Sequence, residues 1–124
     1  MQFNIEIKRI YDPFSVDDGK RILIDRLWPR GISKDKVQID QWMKDIAISS
    51  ELRKKFNHKP EIFDDFKKEY MSELIEDIKK REKVEELLSV LKNEKITLLY
   101  GAKDREHNHA IVLREYLLQE TVDK

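Results

Sequence analysis

Apolar positions along this chain fall into two kinds of pattern. Phe3, Ile5 and Ile7 alternate with Asn4, Glu6 and Lys8, the period-two signature of a strand half exposed near a sheet edge. Ile22-Leu23-Ile24 and Ile96-Thr97-Leu98-Leu99-Tyr100 are nearly unbroken runs, which predict strands buried on both faces, as in a parallel sheet. Elsewhere the spacing is helical. Ile39, Trp42, Met43 and Ile46 predict one face of an amphipathic helix, with Ser33 capping a short turn before it. Leu52 and Phe56 predict another, capped by Ser49 or Ser50. After Pro60, the stripe Phe63, Phe66, Tyr70, Leu74 and Ile78 runs to about Arg81, and Val84, Leu87, Leu88 and Leu91 follow as a second helix or beyond a bend. A last helix turns Ala110, Val112, Leu113, Tyr116 and Leu117 inward, with Asp104 as its expected N-cap.

A buried strand, a helical segment and a second buried strand predict a right-handed crossover joining parallel strands. The expected architecture is a single α/β domain over residues 1–124, with a small, mostly parallel sheet of about three strands and helices packed on it. Parallel strands end on one edge. Pro29 and Gly31 close the second strand abruptly, so Asp25, Arg26, Trp28 and Arg30 are expected at that edge. Tyr11 and Asp12 from the first strand and Tyr100 to His109 from the last should join them, where loops over strand tips form ligand crevices.

Composition narrows the function classes. Lys plus Arg and Asp plus Glu both number 25, so no global field draws in nucleic acid or anionic lipid. Cysteine is absent, which removes disulfides, thiolate nucleophiles and cysteine-ligated zinc together. No signal-like start or apolar run of about 20 residues is present, so a soluble, cytoplasmic protein without a membrane partner is expected. Three widely scattered glycines supply no Gly-rich cofactor loop.

Tyr11-Asp12-Pro13, Asp18-Gly19, the run Ile22 to Gly31 with its Asp-Arg-Leu-Trp-Pro-Arg-Gly motif, Leu52-Arg53, Glu73-Leu74, Thr97 to Ala102 and His107-Asn108-His109-Ala110 carry a resemblance. Over nearly its whole length the chain resembles the bacterial YeaO-like family, domain of unknown function 488. Ile48 stands where the family pattern usually has proline, and Lys55 where an aromatic residue is common. The resemblance implies a small α/β fold and no established activity, and no cofactor follows from it.

The candidate chemistry therefore rests on the strand-tip residues. Arg26 and Arg30 present forked donors suited to phosphate or carboxylate. The competing reading has Arg26 paired with Asp25, Asp12 or Asp104 as an internal strut. Asp25 and Arg26 should point to opposite faces while the strand stays regular. His107 and Asp104, with Asp25, are the candidates for proton handling; Tyr11, Trp28, Tyr100, Asn108 and His109 are candidates for positioning a ligand. His107 and His109 lie two apart, which separates them by about 200° on a helix, so no metal site is expected; His58 could join from its loop. The expected partner is a small anionic metabolite. The alternative is a non-catalytic module that binds nucleic acid or protein through Trp28, Arg30, Lys34 and Lys36, which the neutral overall charge disfavours; no particular protein partner is indicated.

Overall fold

A computed structural model describes residues 4–57 and 59–122. Phe3 of the first expected strand and the loop residue His58 lie outside the described residues. Strands β1 (Ile5–Arg9), β2 (Lys20–Leu23), β3 (Gln41–Trp42) and β4 (Ile96–Tyr100) form one sheet in the order β1-β4-β2-β3. Every neighbouring pair is parallel. The register places Ile22 beside Leu98 and Leu23 beside Leu99, so the two aliphatic runs meet at the centre of the sheet.

Alternation along these strands sorts their side chains into two cores. Ile22, Ile24, Ile96, Leu98 and Tyr100 pack toward helices α1 (Ser50–Phe56), α2 (Phe63–Glu76), α3 (Ile78–Leu91) and α4 (His109–Val122). Leu23 and Leu99 face the other way, onto Ile10 and a layer made by Trp28, Ile32, Val37, Ile39 and Trp42. The segment between β2 and β3, not a helix, closes that second face. Each fully buried Leu, Ile or Phe in the larger core stabilises the fold by roughly 1.5–3 kcal/mol.

Three local expectations are corrected by this arrangement. Residues 39–46 are not one helix. The Asp40 N–H donates to the Arg21 carbonyl and the Met43 N–H to the Leu23 carbonyl, which lays the segment along β2 as β3 before a short 3-10 turn at Lys44–Ile46. Ile39 and Trp42 pack on one side of the sheet and Met43 and Ile46 on the other, so the four apolar residues serve two cores rather than one helical face. The long stripe breaks at Asp77 rather than after Arg81. Asp77 is extended (φ −80°, ψ 122°) and its carboxylate accepts from the Lys80 N–H at 3.1 Å, capping α3. The final helix begins at His109, where the Asn108 side-chain oxygen accepts from the Ile111 N–H at 3.1 Å, so Asn108 takes the capping position expected of Asp104.

At the opposite end of β2 from its carboxyl tip sits a buried ionic group. The Asp18 carboxylate accepts from Lys8 Nζ at 3.0 and 3.1 Å, from the Ser15 N–H at 3.1 Å and from the Arg21 guanidinium. Arg21 Nε also donates to the Gln38 carbonyl, tying the covering layer to the sheet.

Candidate functional site

Parallel strand direction brings the carboxyl ends of β1, β2 and β4 to one rim, and a crevice of about 370 Å³ opens there. Tyr11, Asp25, Arg26, Trp28, Arg30, His107, Asn108 and His109 all line it. Asp25 and Arg26 enter together because β2 ends at Leu23; past that point the two-faced alternation no longer applies, which corrects the expectation that they would diverge.

Asp25 is fixed from two sides. Its Oδ2 accepts from the Gly101 N–H at 2.9 Å, and its own carbonyl accepts from Trp42 Nε1 at 2.8 Å. The contact with Gly101 is close enough that a Cβ at that position would stand 2.8 Å from Asp25 Oδ2, so any larger residue there must displace the Asp25 carboxylate. His109 Nε2 lies 3.0 Å from Asp25 Oδ1 and 3.2 Å from the Ile24 carbonyl, with the imidazole buried against the Tyr70 ring. With the Nε2 proton on the Ile24 carbonyl, Asp25 Oδ1 keeps no hydrogen bond of its own.

His107 is held differently. Asp104 Oδ1 accepts from the Glu106 and His107 N–H groups at 2.8 and 3.0 Å, and its Oδ2 lies 3.0 Å from His107 Nδ1. The backbone hydrogen bond from Glu106, above the other donors, holds the Asp104 carboxyl below the usual carboxylate range. An ionised Asp104 places the imidazole proton on Nδ1 and leaves Nε2 as an acceptor. Phe63 meets the imidazole edge-on at 5.2 Å, restricting its rotation.

The carboxylates that could have neutralised the arginines are otherwise engaged. Asp12 takes a two-pronged hydrogen bond from Arg105 at 2.7 and 2.9 Å, which lowers its pKa. Asp104 serves His107, and Asp25 serves Gly101. Among the described residues no carboxylate pairs with Arg26, Arg30 or Arg53, and all three line the crevice and are exposed. Three guanidinium groups thus face one carboxylate in a partly enclosed space, where charge is less screened than on open surface. Tyr11 steadies the rim: its hydroxyl donates to the Arg30 carbonyl at 2.8 Å, and the Arg9 guanidinium lies over its ring.

Two expected residues lie elsewhere. Tyr100 is buried in the larger core, and desolvation raises its phenol pKa. Asp104 stands behind His107 and does not line the crevice. Trp28 lines it, but its Nε1 donates to the Ile32 carbonyl at 2.7 Å and its ring meets Trp42 edge-on at 5.2 Å, so the indole also belongs to the covering layer. Lys34, expected on a nucleic-acid surface, sits over both indole rings. Arg53, Ala47, Ile48, Phe56 and Phe66 also line the crevice and were not legible as site residues. Arg53 follows core residue Leu52 on α1, and nothing in helical spacing says that α1 leans over the sheet edge.

A family model described as the inactive DUF488-N3 subclade matches residues 4–124. The chain is similar to the uncharacterized protein YeaO of Escherichia coli strain K12, 43% identical over 114 residues that make up 92% of this chain and 96% of that protein. It is similar also to the uncharacterized protein Rv3073c of Mycobacterium tuberculosis strain H37Rv, 45% identical over 69 residues, 56% of this chain and 58% of that one. No solved structure matches the chain. Among the described residues no helix is long and apolar enough to cross a membrane.

Proposed function

The chain belongs to the YeaO-like DUF488 family, within the subclade described as inactive, and from that premise we propose that it binds a small anionic metabolite in the strand-tip crevice. The observation that carries this reading is the trio Arg26, Arg30 and Arg53, exposed around one concavity with no carboxylate partner among the described residues. Arginine forks match the oxygens of phosphate and carboxylate in pairs, and a site that leaves them unpaired is arranged for a ligand that brings the negative charge. His107 Nε2 offers an acceptor beside them, while the buried Asn108, whose amide donates to the Asp104 carbonyl and caps α4, and Asp25 hold the floor in place. The description of the subclade as inactive favours binding without turnover, so the Asp104–His107 pair orients the ligand rather than shuttling its proton.

A thermal-shift panel of phosphorylated and carboxylated metabolites tests the reading. Ligand at 100 times its Kd stabilises by about 2.7 kcal/mol, well above detection. Arg30 is exposed and its guanidinium bonds to nothing described, so Arg30→Ala should fold normally and lose most of the shift. A panel in which no anion raises the wild-type Tm more than it raises that of Arg30→Ala would sink the proposal.

A further inference from the structure

The arginines speak for the charge of the ligand; the facing wall speaks for its body. Ala47 and Ile48, leading from β3 to α1, join Phe56 of α1 and Phe66 of α2 in an apolar lining. The wall is rigid. Phe56 and Phe66 stack with centroids 4.3 Å apart and planes at 29°, and Phe63 extends the stack at 5.7 Å. Behind Ala47, the buried Tyr70 hydroxyl donates to the Ile46 carbonyl at 2.6 Å, pinning the backbone just before the wall begins. At the mouth, Leu27 lines the crevice at 61% exposure and belongs to neither core cluster, although it sits between Arg26 and Trp28.

A bare inorganic ion would gain nothing from this surface, because apolar area stabilises a complex only when another apolar group covers it. We infer that the ligand is amphiphilic: one phosphate or carboxylate for the arginines, joined to a compact apolar body that lies on Ile48 and Leu27. The inference rests on the anion-binding reading of the same crevice. A volume of about 370 Å³ lies toward the small end of ligand pockets, which run from about 300 to 1,000 Å³, and it sets the body at one ring or a short branched chain.

Calorimetric titration of the wild-type chain with inorganic phosphate, glycerol phosphate and phenyl phosphate tests this. Phenyl phosphate should bind at least about 10-fold tighter than either of the others. Ile48→Asn should bring that ratio toward one; Leu27→Asn, at an exposed position where folding is not at stake, should reduce it as well. Equal affinity for the three probes overturns the inference and leaves the anion reading standing. A preference that survives both substitutions also overturns it, since the apolar body would then lie elsewhere. Binding of none of the three overturns this inference, and the anion reading falls with it when the thermal-shift panel, carboxylates included, is silent as well.

Discussion

Replacing Asp18 by Asn leaves the shape of the side chain and removes its charge, at a place where the structure gives that charge a defined task. Asp18 and Arg21 side chains are each only 4% exposed, and Lys8 and the Ser15 N–H complete the group. Breaking one member of a buried pair leaves the other charged and unpaired, which costs about 3–5 kcal/mol. Against a total stability of roughly 5–15 kcal/mol that is a large share, and it corresponds to a fall in Tm on the order of 10–20 °C. The pH dependence has a definite sign. Burial pushes the Asp18 carboxyl up, but hydrogen bonds from Lys8, Ser15 and Arg21 together outweigh it and hold the carboxyl below its ordinary value. Its contribution is therefore fully present above the ordinary carboxylate pKa of about 3.9 and is lost as pH falls through the lower folded-state value. Urea denaturation of wild type and Asp18→Asn at neutral pH and in acid measures both effects. The gap between the two proteins should be several kcal/mol at pH 7 and should narrow in acid. A variant within about 1 kcal/mol of wild type at pH 7, or a gap that does not change in acid, would refute the reasoning.

Other perturbations probe the rim. Gly101→Ala pushes a methyl to 2.8 Å from Asp25 Oδ2 and should destabilise by about 1–3 kcal/mol in chemical denaturation while weakening phenyl phosphate binding; an unperturbed variant would mean that the contact relaxes freely. Tyr11→Phe removes the hydroxyl that holds the Arg30 carbonyl and should weaken phenyl phosphate several-fold by calorimetry, with stability changed by less than about 0.5 kcal/mol. Asn108→Ala removes the cap of α4 and should lower stability by about 1 kcal/mol in urea unfolding. Asp104→Asn should shift the neutral tautomer of His107 away from Nδ1–H, read from long-range nitrogen NMR; an unchanged tautomer would show that Asp104 does not set it.

The sheet was largely legible because its signal is local. Short, nearly unbroken apolar runs bounded by turn residues suit strands covered on both faces, and residues 22–24 and 96–100 lie side by side at the centre of the sheet. Strand direction then carried Arg30 and His107 to one rim from positions far apart in the chain. What escaped was decided by tertiary pairing. Ile39, Trp42, Met43 and Ile46 fit a helical period by number, yet β2 offered free backbone groups that Asp40 and Met43 answered, and the segment became a strand. Asp104 and Asn108 are both good caps; the bend at 105–108 gave the position to the second. Arg53 and the phenylalanine wall depend on how α1 and α2 lean over the strand tips, which no one-dimensional pattern encodes.

The arginine trio can be watched directly. In a proton–nitrogen NMR titration of the guanidinium Nε–H groups with phenyl phosphate, the resonances of Arg26, Arg30 and Arg53 should move together and saturate at a common Kd, while that of Arg105, bonded to Asp12 outside the crevice lining, should stay in place. Shifts that spread without saturation across all arginines, or none in the trio, would contradict the account.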